Sequence, residues 1–269
     1  MDEAIRSVLN QSYKNIQLIV VDDASTDKSV SVIKTIIKEN TEIIFISIEN
    51  NVGNCAAFNR GLALAHGEFI IDFAADDMLL KNRIERGVTY FEKATYQDGV
   101  QFSDAELINE EGEHLRFHSD RFTHQVPQGN IYKDLISSYF INGPSMMVRR
   151  KVFDALGGYD EKLSYEDFDF WIRSSREFNY AYIPEALVKT RIVKSSMSQQ
   201  QFKRAGAQLK STFEVCKKIM NLNRNRDEQQ RLDKRILYEI KVCIKLLDFA
   251  LAIRYAKLWI ENSKLRYKD

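Results

Sequence analysis

The feature that most constrains this chain is a run at positions 16–21, apolar but for Gln17 and rich in β-branched residues, that stops abruptly at Asp22-Asp23. A strand without a polar face is buried on both sides, the condition of strands in a parallel sheet covered by helices. Helix-cap chemistry follows at Ser25-Thr26-Asp27, ahead of a helix expected over 30–38. The same pattern then recurs. Residues 41–48 read as a second strand, 50–54 as a turn, and 56–65 as a helix closed by Gly67. Residues 69–73 read as a third strand, and Asp76-Asp77 follow it. Strands alternating with helices across short connections predict an α/β layer with parallel strands. Upstream, Ala4, Ile5, Val8 and Leu9 recur at helical spacing, so the chain opens inside a helix ending near Gln11-Ser12-Tyr13.

Further along, a helix is expected over 81–93, a strand over 100–106 and a hairpin-like turn at Asn109-Glu110-Glu111-Gly112. Residues 113–129 are polar and irregular, as a loop over a site would be. Helices at 132–139, 151–156 and 165–178, a strand at 145–149 and an extended stretch at 180–193 complete the body. No glycine follows Gly206 and no proline follows Pro184, so the tail is free to form long helices. Leu237, Ile240, Ile244, Leu247, Leu251 and Leu258 are expected to form its packing stripe. We therefore expect a domain over 1–199 and a helical, basic segment over 200–269.

Composition narrows the class. With 269 residues, 44% hydrophobic and 29% charged, the chain is neither disordered nor fibrous. Cys55, Cys216 and Cys243 are far apart and form no CxxC pair, which fits a reducing compartment. No apolar run approaches the ~20 residues that span a bilayer, and the acidic start is unlike a signal peptide. A cytoplasmic protein is expected. From Gln200 onward there are 17 Lys and Arg against 8 Asp and Glu, while the whole chain carries only +1. A basic tail on an acidic body can dock on anionic lipid at the inner membrane face or on an acidic partner; a solvated helix face is the plainer reading. Nucleic-acid binding is not expected, because the aromatics of the tail, Tyr255, Trp259 and Tyr267, fit helix packing. His66, His114, His118 and His124 are not expected to make a zinc site, and no Walker A, GxGxxG, HExxH or GxSxG pattern occurs.

The chemistry lies in acidic clusters. Ligands of open α/β sheets bind outside the carboxyl ends of strands, where Asp22-Asp23 and Asp76-Asp77 are expected. A diphosphate-bound Mg²⁺ or Mn²⁺ needs only one or two protein carboxylates, which Asp76 and Asp77 can supply. Asp22 or Asp23 can accept a hydrogen bond from a base N–H. The third cluster, Glu166-Asp167 with Asp169, precedes Trp171 and Arg173, and a carboxylate there can take a proton from an acceptor hydroxyl. Each cluster has a plainer reading as a helix cap, and Trp171 reads equally as core.

Five blocks in order sharpen this. Val20-Val21-Asp22-Asp23-Ala24-Ser25-Thr26-Asp27, Asn51-Val52-Gly53 with Asn59, Gly67-Glu68-Phe69-Ile70 leading to Asp76-Asp77, Met147-Val148-Arg149-Arg150 with Gly157-Gly158-Tyr159-Asp160, and Glu166-Asp167-Phe168-Asp169 resemble the family 2 glycosyltransferases. The resemblance implies a GT-A type fold, a half-Rossmann mixed sheet, mostly parallel, with an α-helical tail. It implies inverting transfer from a nucleoside diphosphate sugar, commonly a UDP-sugar, to a glycan or lipid-linked acceptor, with Mg²⁺ or Mn²⁺. By resemblance, Asp22 and Asp23 read the nucleoside, and Asn51, Gly53 and Asn59 belong to the same donor region. Asp76 matches the metal aspartate of the DxD motif, Asp167 matches the catalytic base, and Glu166, Trp171 and Arg173 belong to the acceptor side.

Four departures stand out. Ala74 replaces the first carboxylate of Asp-x-Asp, Phe58 stands where an arginine is common, and Val193 where many relatives place a histidine. Relatives also begin with a strand ending in Pro-x-Tyr-Asn, and this chain starts in the helix after it. The strands of Val20 and Ile70 are therefore expected to be either unpaired or joined directly, with folding or donor binding impaired; a start upstream of Met1 would explain the departure equally well. Two other functions follow from the same features. One is a non-catalytic relative serving as a scaffold or donor-binding remnant; the other is a sugar nucleotidyltransferase, whose Gly-rich phosphate loop is absent here.

Overall fold

The structure is a computed structural model in which residues 1–193 and 206–265 are described. It divides into two compact units that do not follow chain order. The first holds Met1–Gly129, Ile141–Glu161 and Glu177–Val193; the second holds Asn130–Phe140, Lys162–Arg176 and the described residues 206–265.

In the first unit, α1 (Asp2–Leu9) precedes β1 (Ile19–Asp23), α2 (Ser29–Glu39), β2 (Ile44–Ile48) and α3 (Asn54–Leu64). β1 and β2 pair in parallel, Ile19 against Ile44 through Asp23 against Ile48, so both strands end at the same level. Then come β3 (Phe69–Ile70), β4 (Met78–Leu79), α4 (Arg83–Lys93), β5 (Asp98–Ile108), β6 (His114–Phe117), β7 (Met147–Arg149), α6 (Arg150–Leu156) and β8 (Asn179–Arg191), while α5 (Tyr132–Ser137) and α7 (Asp167–Ser175) belong to the second unit. Five strands run in the order β3-β7-β5-β8-β4, with β6 added on β5.

The sheet is mixed, as expected. Its one long ladder, β5 with β8, is parallel, as is β1 with β2. The short pairings of β3 with β7, β7 with β5, β4 with β8 and β5 with β6 are antiparallel. The expected third strand therefore shrinks to two residues and runs against its neighbour. Among the described residues, β1 and β3 lie in separate sheets and share no pairing. The expected loop over 113–129 is also corrected: β6 pairs with β5 across the turn at 109–112, and a short 3₁₀ turn covers His118–Arg121.

Helix α1 serves both sheets. Ile5 packs in one cluster with Ile33, Ile36 and Ile43, while Val8, one turn on, packs in the other with Leu79, Ile84, Val88, Phe91, Met147 and Val188. Burying each such side chain is worth about 1.5–3 kcal/mol. The link is polar as well. The buried amide of Gln11 donates to the carbonyls of Ser7 and Leu80 and accepts from the Ile84 N–H, so the backbone after β4 is satisfied from α1.

The second unit is helical: α5 (Tyr132–Ser137), α7 (Asp167–Ser175), α8 (Ala207–Leu222), α9 (Arg226–Lys245) and α10 (Phe249–Leu265). The expected stripe is corrected here. In α9 the buried face runs through Leu232, Ile236, Glu239 and Cys243, while Leu237, Ile244 and Leu247 are exposed. Only Leu251 and Leu258 of the expected set are buried. Charge has entered this interior in pairs. Arg176 meets Glu228 at 2.9 Å and lies over the Tyr132 ring, and Arg235 meets Glu239 at 2.7 Å over the rings of Tyr139 and Phe168. The three cysteines are buried free thiols. No described helix is long and apolar enough to cross a membrane.

Candidate active site

Asp22 and Asp23 close β1 but have different surroundings. Asp23 faces the turn before α3: its Oδ1 accepts the Val52 N–H at 2.7 Å and its Oδ2 the Gly53 N–H at 2.8 Å. Asn51 returns a bond from its Nδ2 to the Asp23 carbonyl at 3.1 Å. Gly53 adopts φ 88° there, a left-handed value that a side chain would strain. Asp23, Asn51 and Gly53 are thus brought together as expected. Asp22 is turned inward, 4% exposed; its Oδ2 accepts the Ser25 N–H at 3.3 Å, and its buried Oδ1 has no partner among the described residues. Ala24, just after the pair, holds φ 59° without being glycine. Strain of this kind marks positions where the fold over-determines a turn.

Asn59 has another task. Its Nδ2 donates to the Tyr159 carbonyl and to Glu161 Oε1, both at 2.9 Å, and its Oδ1 accepts the Tyr159 N–H at 2.9 Å. The amide is committed to the segment after α6, which corrects its assignment to the donor. Tyr159 also reaches Asp72 Oδ2 with its hydroxyl at 3.1 Å and stacks on Phe58 at 4.3 Å. Asp72 and Tyr159 were not singled out from sequence as site residues, because their partners lie 87 positions apart.

Asp76 and Asp77 also diverge. Asp76 is exposed, and its carboxylate meets no hydrogen-bond or ionic partner among the described residues. Asp77 is 3% exposed and its Oδ1 accepts the Arg191 N–H at 2.8 Å. Burial pushes its carboxyl up to about 7 despite that bond. Asp77 is therefore corrected from metal ligand to anchor. The anchor continues through Arg191, whose guanidinium donates to the carbonyls of Asp76, Asn109 and Glu110 and to Glu3 Oε2. One side chain thus joins the end of β8, the Asp76 loop, the hairpin turn and α1. Among the described residues no three His, Cys, Asp or Glu side chains are grouped to hold a metal. A diphosphate-bound cation asks less, and the exposed, unengaged Asp76 fits that single-carboxylate demand.

In the second unit, Asp167 begins α7 and Glu166 precedes it. Asp167 is half-buried and lies in the first turn, where the helix dipole favours its charge. Asp169 is buried between two cations, Arg173 Nε at 2.6 Å and Lys218 Nζ at 2.6 Å. Arg173 is thereby an internal partner of its own helix. Trp171 is 5% exposed and meets Tyr139 edge-on at 6.1 Å. It is core, which removes it from the acceptor side: no ring face is open to a sugar.

The profile of Glycosyl transferase family 2 matches residues 1–157. The chain belongs to glycosyl transferase family 2. It is 33% identical over 196 residues to the uncharacterized glycosyltransferase MJ1057 of Methanocaldococcus jannaschii, covering 71% of this chain and 66% of that protein. TuaG of Bacillus subtilis, named for teichuronic acid biosynthesis, is 25% identical over 83% of this chain and 84% of its own. The chain spans 66%, 59% and 32% of the first three curated relatives it matches. Among solved structures, Staphylococcus aureus TarS 1–349 in complex with UDP-GlcNAc superposes with TM-score 0.75 at 16% identity, over 97% of this chain and 76% of that one. The fold is thus GT-A type, and the chain carries a glycosyltransferase domain.

Family 2 membership gives two departures a structural meaning. Phe58, in place of the common arginine, stacks between Phe153 and Tyr159 and so packs the segment that Asn59 holds. Ala74 lies in the exposed loop that Arg191 fastens, and its carbonyl accepts the Asp77 N–H at 3.3 Å.

Proposed function

We propose that this chain transfers a sugar from a nucleoside diphosphate sugar, a UDP-sugar, to a glycan or lipid-linked acceptor in cell-surface polysaccharide assembly, with inversion at the anomeric carbon. The observation that carries the reading is the end of β1. Asp22 keeps a buried oxygen without a partner among the described residues, beside Asp23 locked onto the Val52-Gly53 turn. A buried polar atom without a partner is costly, and a base N–H would relieve that cost. Asp23 acts as a positioning residue, holding the turn against which the nucleoside lies. Asp76 would hold a diphosphate-bound Mg²⁺ or Mn²⁺, which would supply positive charge to offset that of the leaving group. Asp167 takes the proton of the acceptor hydroxyl as that oxygen bonds the anomeric carbon and the bond to the diphosphate breaks. Attack opposite the leaving group inverts the centre. TarS binding UDP-GlcNAc and the name of TuaG support the donor class and the polymer context.

Calorimetric titration of the full chain with UDP, with and without Mn²⁺, tests this directly. Asp22→Asn is expected to weaken UDP about tenfold or more, on the order of 1.4 kcal/mol or more, with an unchanged melting temperature. Asp167→Asn is expected to retain UDP binding while losing transfer. Heat from neither UDP nor UDP with Mn²⁺ at millimolar concentration would remove the donor site from the proposal.

A further inference from the structure

The end of the α9–α10 hairpin exposes a group of large apolar side chains that no other described element covers. Ile244 is 49% exposed, Leu247 56%, Phe249 57% and Ile253 58%. Scattered single apolar residues are ordinary on a surface, but four within ten residues of one turn make a patch. Leu247 adds a second, independent anomaly. It holds φ 57°, a left-handed value at which glycine or asparagine would be at ease, so a strained and exposed leucine occupies the tip of the turn.

The surrounding charge is mostly positive. Lys241 lies one turn before Ile244, Lys245 beside it and Lys257 one turn after Ile253, all exposed. Between residues 234 and 265 there are seven Lys and Arg and three carboxylates. The three carboxylates are outnumbered by these cations. Glu239 is buried against Arg235, Asp248 accepts the Leu251 N–H at the start of α10, and the exposed Glu261 lies one turn beyond Lys257. Asn262 Nδ2 ties α10 to α9 at the Gln229 carbonyl and Asp233 Oδ1.

We propose that this apolar tip with its lysine collar docks the protein on an anionic lipid bilayer. Leu247, Phe249, Ile244 and Ile253 enter the boundary between headgroups and acyl chains, and Lys241, Lys245 and Lys257 pair with lipid phosphates. A second copy is a poor occupant, because two cationic collars would face each other. The inference does not rest on the transferase reading and survives its failure.

Co-sedimentation of the full chain with vesicles tests it. Binding is expected to phosphatidylcholine vesicles holding about one-third phosphatidylglycerol, to fall steeply with salt, and to be absent with phosphatidylcholine alone. Lys241→Gln with Lys257→Gln is expected to lower partitioning about thirtyfold. Leu247→Gly separates docking from folding: it relieves the strained backbone, so the melting temperature holds or rises while partitioning falls about tenfold. Failure of the wild-type chain to bind anionic vesicles overturns the proposal, as does binding that these variants leave unchanged. A dimer that Leu247→Gly converts to monomer would also overturn it and assign the tip to a second copy.

Discussion

Asp77 and Asp76 are adjacent, yet one is buried and the other open to solvent, and the difference has a pH signature. Burial holds the Asp77 carboxyl up to about 7, against 3.8 for an unfolded chain. A carboxyl whose folded value is raised favours the folded state while protonated. Its contribution is therefore complete below about pH 4 and is lost as pH climbs through about 7. Asp77→Asn keeps an oxygen for the Arg191 N–H and removes the titration. Thermal melts across this range are expected to show the wild-type chain losing stability on the order of a few kcal/mol relative to Asp77→Asn at the alkaline end. Parallel curves for the two proteins would show that Asp77 is not held protonated.

Among the elements, the segment after α6 depends on one glycine and one amide. Gly158 has φ 81°, and a Cβ there would meet Asn59 Oδ1 at 2.5 Å. Gly158→Ala is expected to cost about 1–3 kcal/mol in urea unfolding, by strain and by displacing Asn59. If the clash is the cause, Asn59→Ala in the same chain recovers part of that loss, and a double-mutant cycle gives a coupling near 1 kcal/mol. This contact was only half legible in the sequence. Asn59 and Gly157-Gly158-Tyr159 both stood out, but their hydrogen bonds join positions 100 apart and left no local pattern. The strands were legible as apolar runs and less so as ladders. Residues 16–18 and 71–73 keep their apolar side chains against the core, yet pairing begins only at Ile19 and ends at Ile70, because a ladder extends no further than its partner. In α9 the apolar periodicity pointed to the wrong face, since the buried one is completed by Glu239 and its partner Arg235 rather than by leucines. Asp77 could not be told from Asp76, because the group that draws it inward is Arg191, 114 residues away.

At the scale of the molecule, the helical unit has traded hydrocarbon for paired charge. Arg235 and Glu239 are each nearly sealed, with side-chain exposures of 7% and 5%. Removing one partner of such a pair strands the other: Glu239→Gln is expected to destabilise the chain by about 3–5 kcal/mol, read as a lowered denaturation midpoint. Replacing both at once, Arg235→Met with Glu239→Leu, is expected to cost far less, because the desolvation penalty disappears with the pair. A double variant as unstable as the single one would mean that stacking on Tyr139 and Phe168, rather than charge, holds Arg235 in place.

That the chain visits the second unit three times has a consequence for how the protein is made. α5 and α7 leave the ribosome well before Glu228, Arg235 and Glu239 exist to meet Arg176 and Tyr139. At about 5–20 residues per second, their partners emerge several seconds later. During translation, then, Tyr132, Phe168 and Trp171 wait uncovered, and the nascent chain passes through an interval in which a holding chaperone has hydrophobic surface to grasp.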